Sequence, residues 1–119
     1  AYERMCLFLE RMSPNNLVIR LNDNKMSARQ LQAFMLTEIR EEYNHNVSQQ
    51  VYMSEEAWNY VKTAREDLIT TINNAADSLP EDATGMDLAK KLFQDMMDKP
   101  NDPINDALVF VKDEIRQVF

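Results

Sequence analysis

The sequence predicts an all-α protein, and three observations predict it. Its 119 residues include one glycine and four prolines, so little chain is free for the tight turns of hairpins. Leu, Met, Ala, Glu, Gln, Lys and Arg, which lose least on entering a helix, are plentiful. Apolar residues recur at three- and four-residue intervals between capping signals. The length suits one domain over residues 1–119 with one core, expected as a compact bundle of five to six helices, two of them long and antiparallel.

Residues 2–12 put Tyr2, Met5, Phe8, Leu9 and Met12 on one helical face and leave Leu7 outside it. Ser13-Pro14 reads as an N-cap followed by proline at the first helical position. It opens a short helix through Leu17, Val18 and Leu21 that the run "NDNK" breaks. Ser27 with Gln30 three residues later is a capping-box signal, and no Pro or Gly follows until after Val51. That predicts a helix of about 24 residues, roughly 36 Å long. Its lower part directs Leu36, Ile39, Tyr43, Val47 and Val51 inward.

Ser54 followed by Glu55 and Glu56 starts the next helix, residues 55–77, with acids at the positive end of its dipole. Trp58, Val61, Leu68, Ile69, Ile72, Ala75, Ala76 and Leu79 form its inward face. "LPEDATG" is the longest clear loop. Thr84 with Asp87 then caps a helix over 85–98 bearing Leu88, Leu92, Phe93, Met96 and Met97. "KPNDP" ends it, and Asp102-Pro103 opens the last helix, with Ile104, Ala107, Leu108, Val111, Ile115 and Val118 inward.

Composition removes several function classes. A single cysteine, Cys6, excludes an internal disulfide and any Cys-based zinc cluster within one chain. A net charge of −7 argues against nucleic acid as partner, because phosphate contacts need clustered Lys and Arg. The charge is uneven: residues 1–40 hold six basic and four acidic groups, residues 41–119 seven and sixteen. Arg4, Arg11 and Arg20 beside apolar residues offer weak lipid contact on the N-terminal side. No stretch approaches the roughly 20 apolar residues of a membrane span. No glycine-rich phosphate loop, repeat or EF-hand pattern is present.

The motif closest to a chemistry is Glu42-x-x-His45, the spacing by which di-iron bundles hang two ligands on one helix. With one histidine per chain, a complete site needs two copies around a twofold axis. The helical wheel sets His45 about 160° from the apolar stripe, so the simpler expectation is a rim histidine beside Glu41 and Glu42. Cys6 or Ser48 with His45 lacks an orienting third residue and an oxyanion loop, so no catalytic residue is assigned. From Tyr43 to Ser54 the chain has no charged side chain, counting His45 as neutral. Interface centres are depleted in charge, which marks Phe34, Glu41, His45, Ser48, Gln49 and Tyr52 as a candidate contact surface. Eight methionines suit flexible filling of core gaps, or a groove receiving a partner helix.

"AYERMCLFLERMSPNNLVIRL", "SARQLQAFMLTEIREEYNHNVSQQVYMSEEAWNYVK" and "FVKDEIRQVF" resemble an uncharacterised family of short bacterial proteins, over nearly the whole chain. The resemblance implies an N-terminal membrane anchor and a helical stalk, into which residues 1–12 would continue. It also implies a domain at the cytoplasmic face of a bacterial inner membrane, soluble without its anchor. It brings no activity, cofactor or catalytic residue. The expected function is therefore a non-enzymatic, membrane-tethered protein-interaction or scaffold domain, with a protein partner or a second copy as ligand. The alternative is a di-iron type bundle assembled across a homodimer through Glu42 and His45.

Overall fold

A computed structural model describes residues 2–21 and 25–118. Among them six α-helices follow in order: α1 Tyr2–Met12, α2 Pro14–Leu21, α3 Ala28–Asn46, α4 Glu55–Asp77, α5 Gly85–Met97 and α6 Pro103–Val118. A 3₁₀ segment, Val47–Tyr52, links α3 to α4. Residues 22–24 of the predicted break over 22–25, the side chain of Leu21 and that of Val118 lie outside the described residues, and Lys25 is in a turn.

Helix α4 occupies the centre, packing on α3, α5 and α6, while α1 packs on α6, α3 and α2, and α2 closes against α3 and α5. The two long helices are antiparallel, as their side-chain pairs show. Arg29 reaches Asp77 and Gln32 bonds Asn73 near the start of α3, whereas Tyr43 meets Trp58 near its end. Helix α6 also runs antiparallel to α4, with Ser54 joined to Glu114 and Tyr60 stacked on Phe110. The molecule measures 50 × 29 × 18 Å, so its thinnest direction holds about two helices.

Burial follows the sequence periodicity along most elements. Met5, Phe8, Leu9 and Met12 of α1 are buried and Leu7 is exposed. Trp58, Val61, Leu68, Ile72, Ala75 and Ala76 of α4 are buried, joined by Ala57, Ala64 and Thr71. In α6, Ile104, Ala107 and Val111 are buried, with Leu108 and Ile115 packed half-buried beside them.

Four N-caps form as their residues dictate, among them Asp102, whose Oδ1 accepts from Asn105 N–H at 3.2 Å at the head of α6. Ser27 Oγ accepts from Gln30 N–H while the Gln30 side chain accepts from Ser27 N–H, and Thr84 and Asp87 repeat the arrangement. Ser54 Oγ accepts from Ala57 N–H at the head of α4. The two capping boxes are themselves joined. Ala28 N–H donates to the Ala83 carbonyl at 2.9 Å and Gly85 N–H to the Met26 carbonyl at 2.8 Å, making an antiparallel bridge between Ser27 and Thr84. Gly85 is buried at this joint, where a side chain would intrude between two closely approaching backbones.

Two expectations need correction. The helix predicted over about 24 residues is a 19-residue α-helix followed by six residues of 3₁₀ helix, and Val47 and Val51 face outward. Asn46 is buried and its side-chain amide donates to the Glu42 carbonyl at 2.8 Å, the kind of local bond that competes with regular winding. Beyond it, three residues per turn instead of 3.6 advances each side chain by about 20° more, roughly 100° by Val51. The buried stripe of α3 is instead Ala28, Leu31, Met35, Ile39 and Asn46, with Leu36 and Tyr43 half-buried beside it. The second correction is Met97, which is 85% exposed. It lies about 120° around the wheel from the centre of Gly85, Leu88, Ala89, Leu92 and Met96, and α5 ends there without a neighbour over it.

Candidate interaction site

His45 is exposed, as the wheel predicted, and so are Glu41, Ser48 and Tyr52, while Gln49 is half-buried. Phe34 is 53% exposed but stands about three turns, roughly 16 Å, up α3 from His45, so the six candidates do not form one patch. His45 borders two shallow depressions. One, about 330 Å³, lies against α1 with Arg4, Leu7, Phe8, Arg11, Glu42 and Asn46. The other, about 200 Å³, is lined by Glu38, Glu41, Glu42 and His45.

The carboxylates of this second depression are engaged by arginines from other helices. Glu42 Oε1 accepts from Arg11 Nε at 3.0 Å and lies 2.9 Å from its Nη2. Glu38 Oε1 is 2.8 Å from Arg20 Nη1 and 3.7 Å from Arg11, and Arg20 Nη2 donates to the Arg11 carbonyl at 2.8 Å. Two glutamates one turn apart on α3 are thereby clasped by one arginine from α1 and one from α2. Among the described residues no three His, Cys, Asp or Glu side chains gather to hold a metal ion. A site shared between two copies would first have to separate Glu42 from Arg11. Arg11 and Arg20 are committed inside the molecule, so of the three arginines considered for lipid contact Arg4 alone is outside this clasp.

Next to these pairs the 3₁₀ segment presents apolar surface. Val51 is 79% and Tyr52 69% exposed, and Val47 stands out beside them. Single exposed apolar residues are ordinary on a protein surface. Three within six residues, in a twelve-residue stretch with no charged side chain, concentrate exposed apolar surface on this segment.

A family model spans residues 1–118. The chain belongs to DUF7935, a family of unknown function. No curated protein and no solved structure matches it. Membership agrees with the resemblance to an uncharacterised family. Among the described residues no helix of this family member is long and apolar enough to cross a membrane.

Several contacts that organise this region escaped the sequence reading. Tyr43 sits in an aromatic row, 6.2 Å from Phe8 and 5.6 Å from Trp58 between ring centroids, and the Arg65 guanidinium lies 4.1 Å over its ring. Glu114 accepts from Tyr2 Oη at 2.7 Å with one oxygen and from Ser54 Oγ with the other, tying α1 and α6 to the cap of α4. These pairs are distant in sequence and nothing local announces them. The arginine clasp left one trace, the i, i+4 repeat of Glu38 and Glu42 on a helix otherwise short of acids before Glu41. Cys6 is half-buried, and burial pushes its thiol pKa up, which favours the protonated form.

Proposed function

We propose that this domain is a non-catalytic protein-interaction module whose contact surface is the uncharged segment around Val47, Val51 and Tyr52. The observation that carries the reading is the exposure of Val51 and Tyr52 within a stretch that bears no charge, on a chain with net charge −7. Covering a valine or aromatic side chain is worth about 1.5–3 kcal/mol, a gain this fold leaves for a partner. The tyrosine suits such a surface, since it offers a rigid apolar ring with a polar tip at low entropic cost. The absence of charge keeps desolvation cheap at the centre, while Glu41, Glu55 and Glu56 at its borders supply a polar rim.

The proposal includes the setting implied by the family resemblance, a domain held at a membrane by a preceding segment. Fractionation of the full-length protein checks that setting: recovery in the membrane pellet supports it and recovery in the supernatant overturns it. For the surface, the test is the double variant Val51→Glu, Tyr52→Glu. Both residues are exposed, so helix content and melting temperature are expected to stay at wild-type values. Co-purification of the protein's own tagged copy, or of its cellular partner, is expected to disappear. Undiminished co-purification by a folded double variant would refute the surface.

A further inference from the structure

A second apolar surface lies where α5 ends against the start of α2. Phe93, Met96, Met97, Ser13, Pro14 and Asp102 are among the residues lining a groove of about 470 Å³, within the range of small-ligand pockets. Phe93 and Met96 are half-buried and packed on the core, so they form a fixed floor, while Met97 stands free at the edge. Unbranched thioethers adapt to different apolar shapes, which is why methionine recurs on surfaces that receive helices.

The surrounding charge selects the occupant. Asp102 lines the groove, Asp98 follows Met97, and Asp106 lies one turn into α6. Two of the lysines flanking this stretch are engaged elsewhere: Lys99 donates to Asp67 at 2.6 Å and to Thr71, and Lys91 pairs with Asp95 at 2.8 Å, while Lys90 is exposed one turn before Phe93. The positive ends of α2 at Pro14 and of α6, where Asp102 accepts from Asn105 N–H at 3.2 Å, oppose this field with about half a charge each, against three carboxylates. Residues 41–119 as a whole hold nine more acidic than basic groups, so a cation is also favoured at long range.

We propose that this groove docks a cationic amphipathic helix of a partner protein. One or two apolar anchors enter between Phe93, Met96, Met97 and Pro14, and lysines or arginines on the flanks of that helix meet Asp98 and Asp102. The groove is too short for a whole helix face, so affinity is concentrated in those anchors and is sensitive to salt.

The test uses the whole chain with methyl-labelled methionine and a synthetic Leu/Lys peptide of about 18 residues, five helical turns. Two controls share its length: a scrambled peptide of the same composition without an apolar face, and a Leu/Glu peptide. The Met96 and Met97 methyl signals are expected to shift while those of the buried Met5, Met12 and Met35 stay fixed. Met97→Gln is expected to weaken binding about tenfold without unfolding the protein. Asp98→Asn is expected to weaken it at low salt, with little effect at high salt. Equal binding of the scrambled peptide, unchanged affinity for Met97→Gln, or shifts of these two methyls with lipid vesicles but not with the peptide would each overturn the proposal. The double variant at Val51 and Tyr52 is expected to bind this peptide normally, so failure here is separable from failure of the first surface.

Discussion

Two side chains show how single groups set the stability of this bundle. Arg65 lies over the Tyr43 ring, yet its Nε is buried without a hydrogen-bond partner. The ring contact is worth about 0.5–1 kcal/mol, whereas a buried unsatisfied donor costs about 1–3 kcal/mol. Keeping the apolar stem and removing the guanidinium therefore gains more than it loses. Arg65→Met is expected to raise unfolding stability by about 1 kcal/mol, and Arg65→Ala, which also deletes the stem, to lower it by a similar amount; urea titration distinguishes the two. Tyr2 supplies a pH dependence. The Glu114 carboxylate that accepts its O–H, helped by burial, raises the Tyr2 pKa above the usual 10.0. The neutral phenol is thus favoured in the folded state. Its contribution is complete below pH 10 and is lost as pH rises through the folded-state value. Tyr2→Phe is expected to cost about 1 kcal/mol at neutral pH, and the gap to wild type should close in alkaline melts.

At the level of elements, the joined capping boxes are the least expected device. Ser27→Ala and Thr84→Ala should each cost about 1 kcal/mol. Because the bridge between Ala28 and Ala83 and between Gly85 and Met26 couples the two helix starts, the double variant is expected to lose measurably less than the sum. Strict additivity in chemical denaturation would show the starts to be independent. The boxes themselves were legible, since Ser27-x-x-Gln30 and Thr84-x-x-Asp87 are local patterns whose partners lie three residues away. Their union was not, because it depends on where α5 lands. The same division runs through the rest of the fold. Inward faces of α1, α4 and α6 followed from a 3.6-residue period, which the core enforces. The end of α3 did not, because the buried Asn46 and the tighter 3₁₀ winding change the period just where extrapolation was relied on. At the candidate site, the helical period places Tyr52 and His45 outward, where both are exposed, whereas it places Val47 and Val51 in the core, from which both are turned away. Ile39→Ala, in the true stripe, should cost about 2–5 kcal/mol, while Val51→Ala should change stability by less than about 0.5 kcal/mol.

For the whole molecule, the arrangement amounts to a core around α4 with polar links between helices and apolar groups left outside at several places, among them Leu7, Ile19, Phe34, Val109, the 3₁₀ segment and the end of α5. The arginine clasp on Glu38 and Glu42 links α1 and α2 to α3, from whose end the 3₁₀ segment continues. In the proposed role the surface around Val51 meets another protein. The most direct measurement places a photo-crosslinking amino acid at position 51 in cells, with position 62 on α4, an exposed lysine, as the control. One discrete adduct is expected from position 51, absent from position 62 and suppressed when Tyr52 is changed to Glu. Its mass then says whether a second copy or a different protein is held. The same diffuse products from both positions, or no adduct from position 51, would contradict the claim.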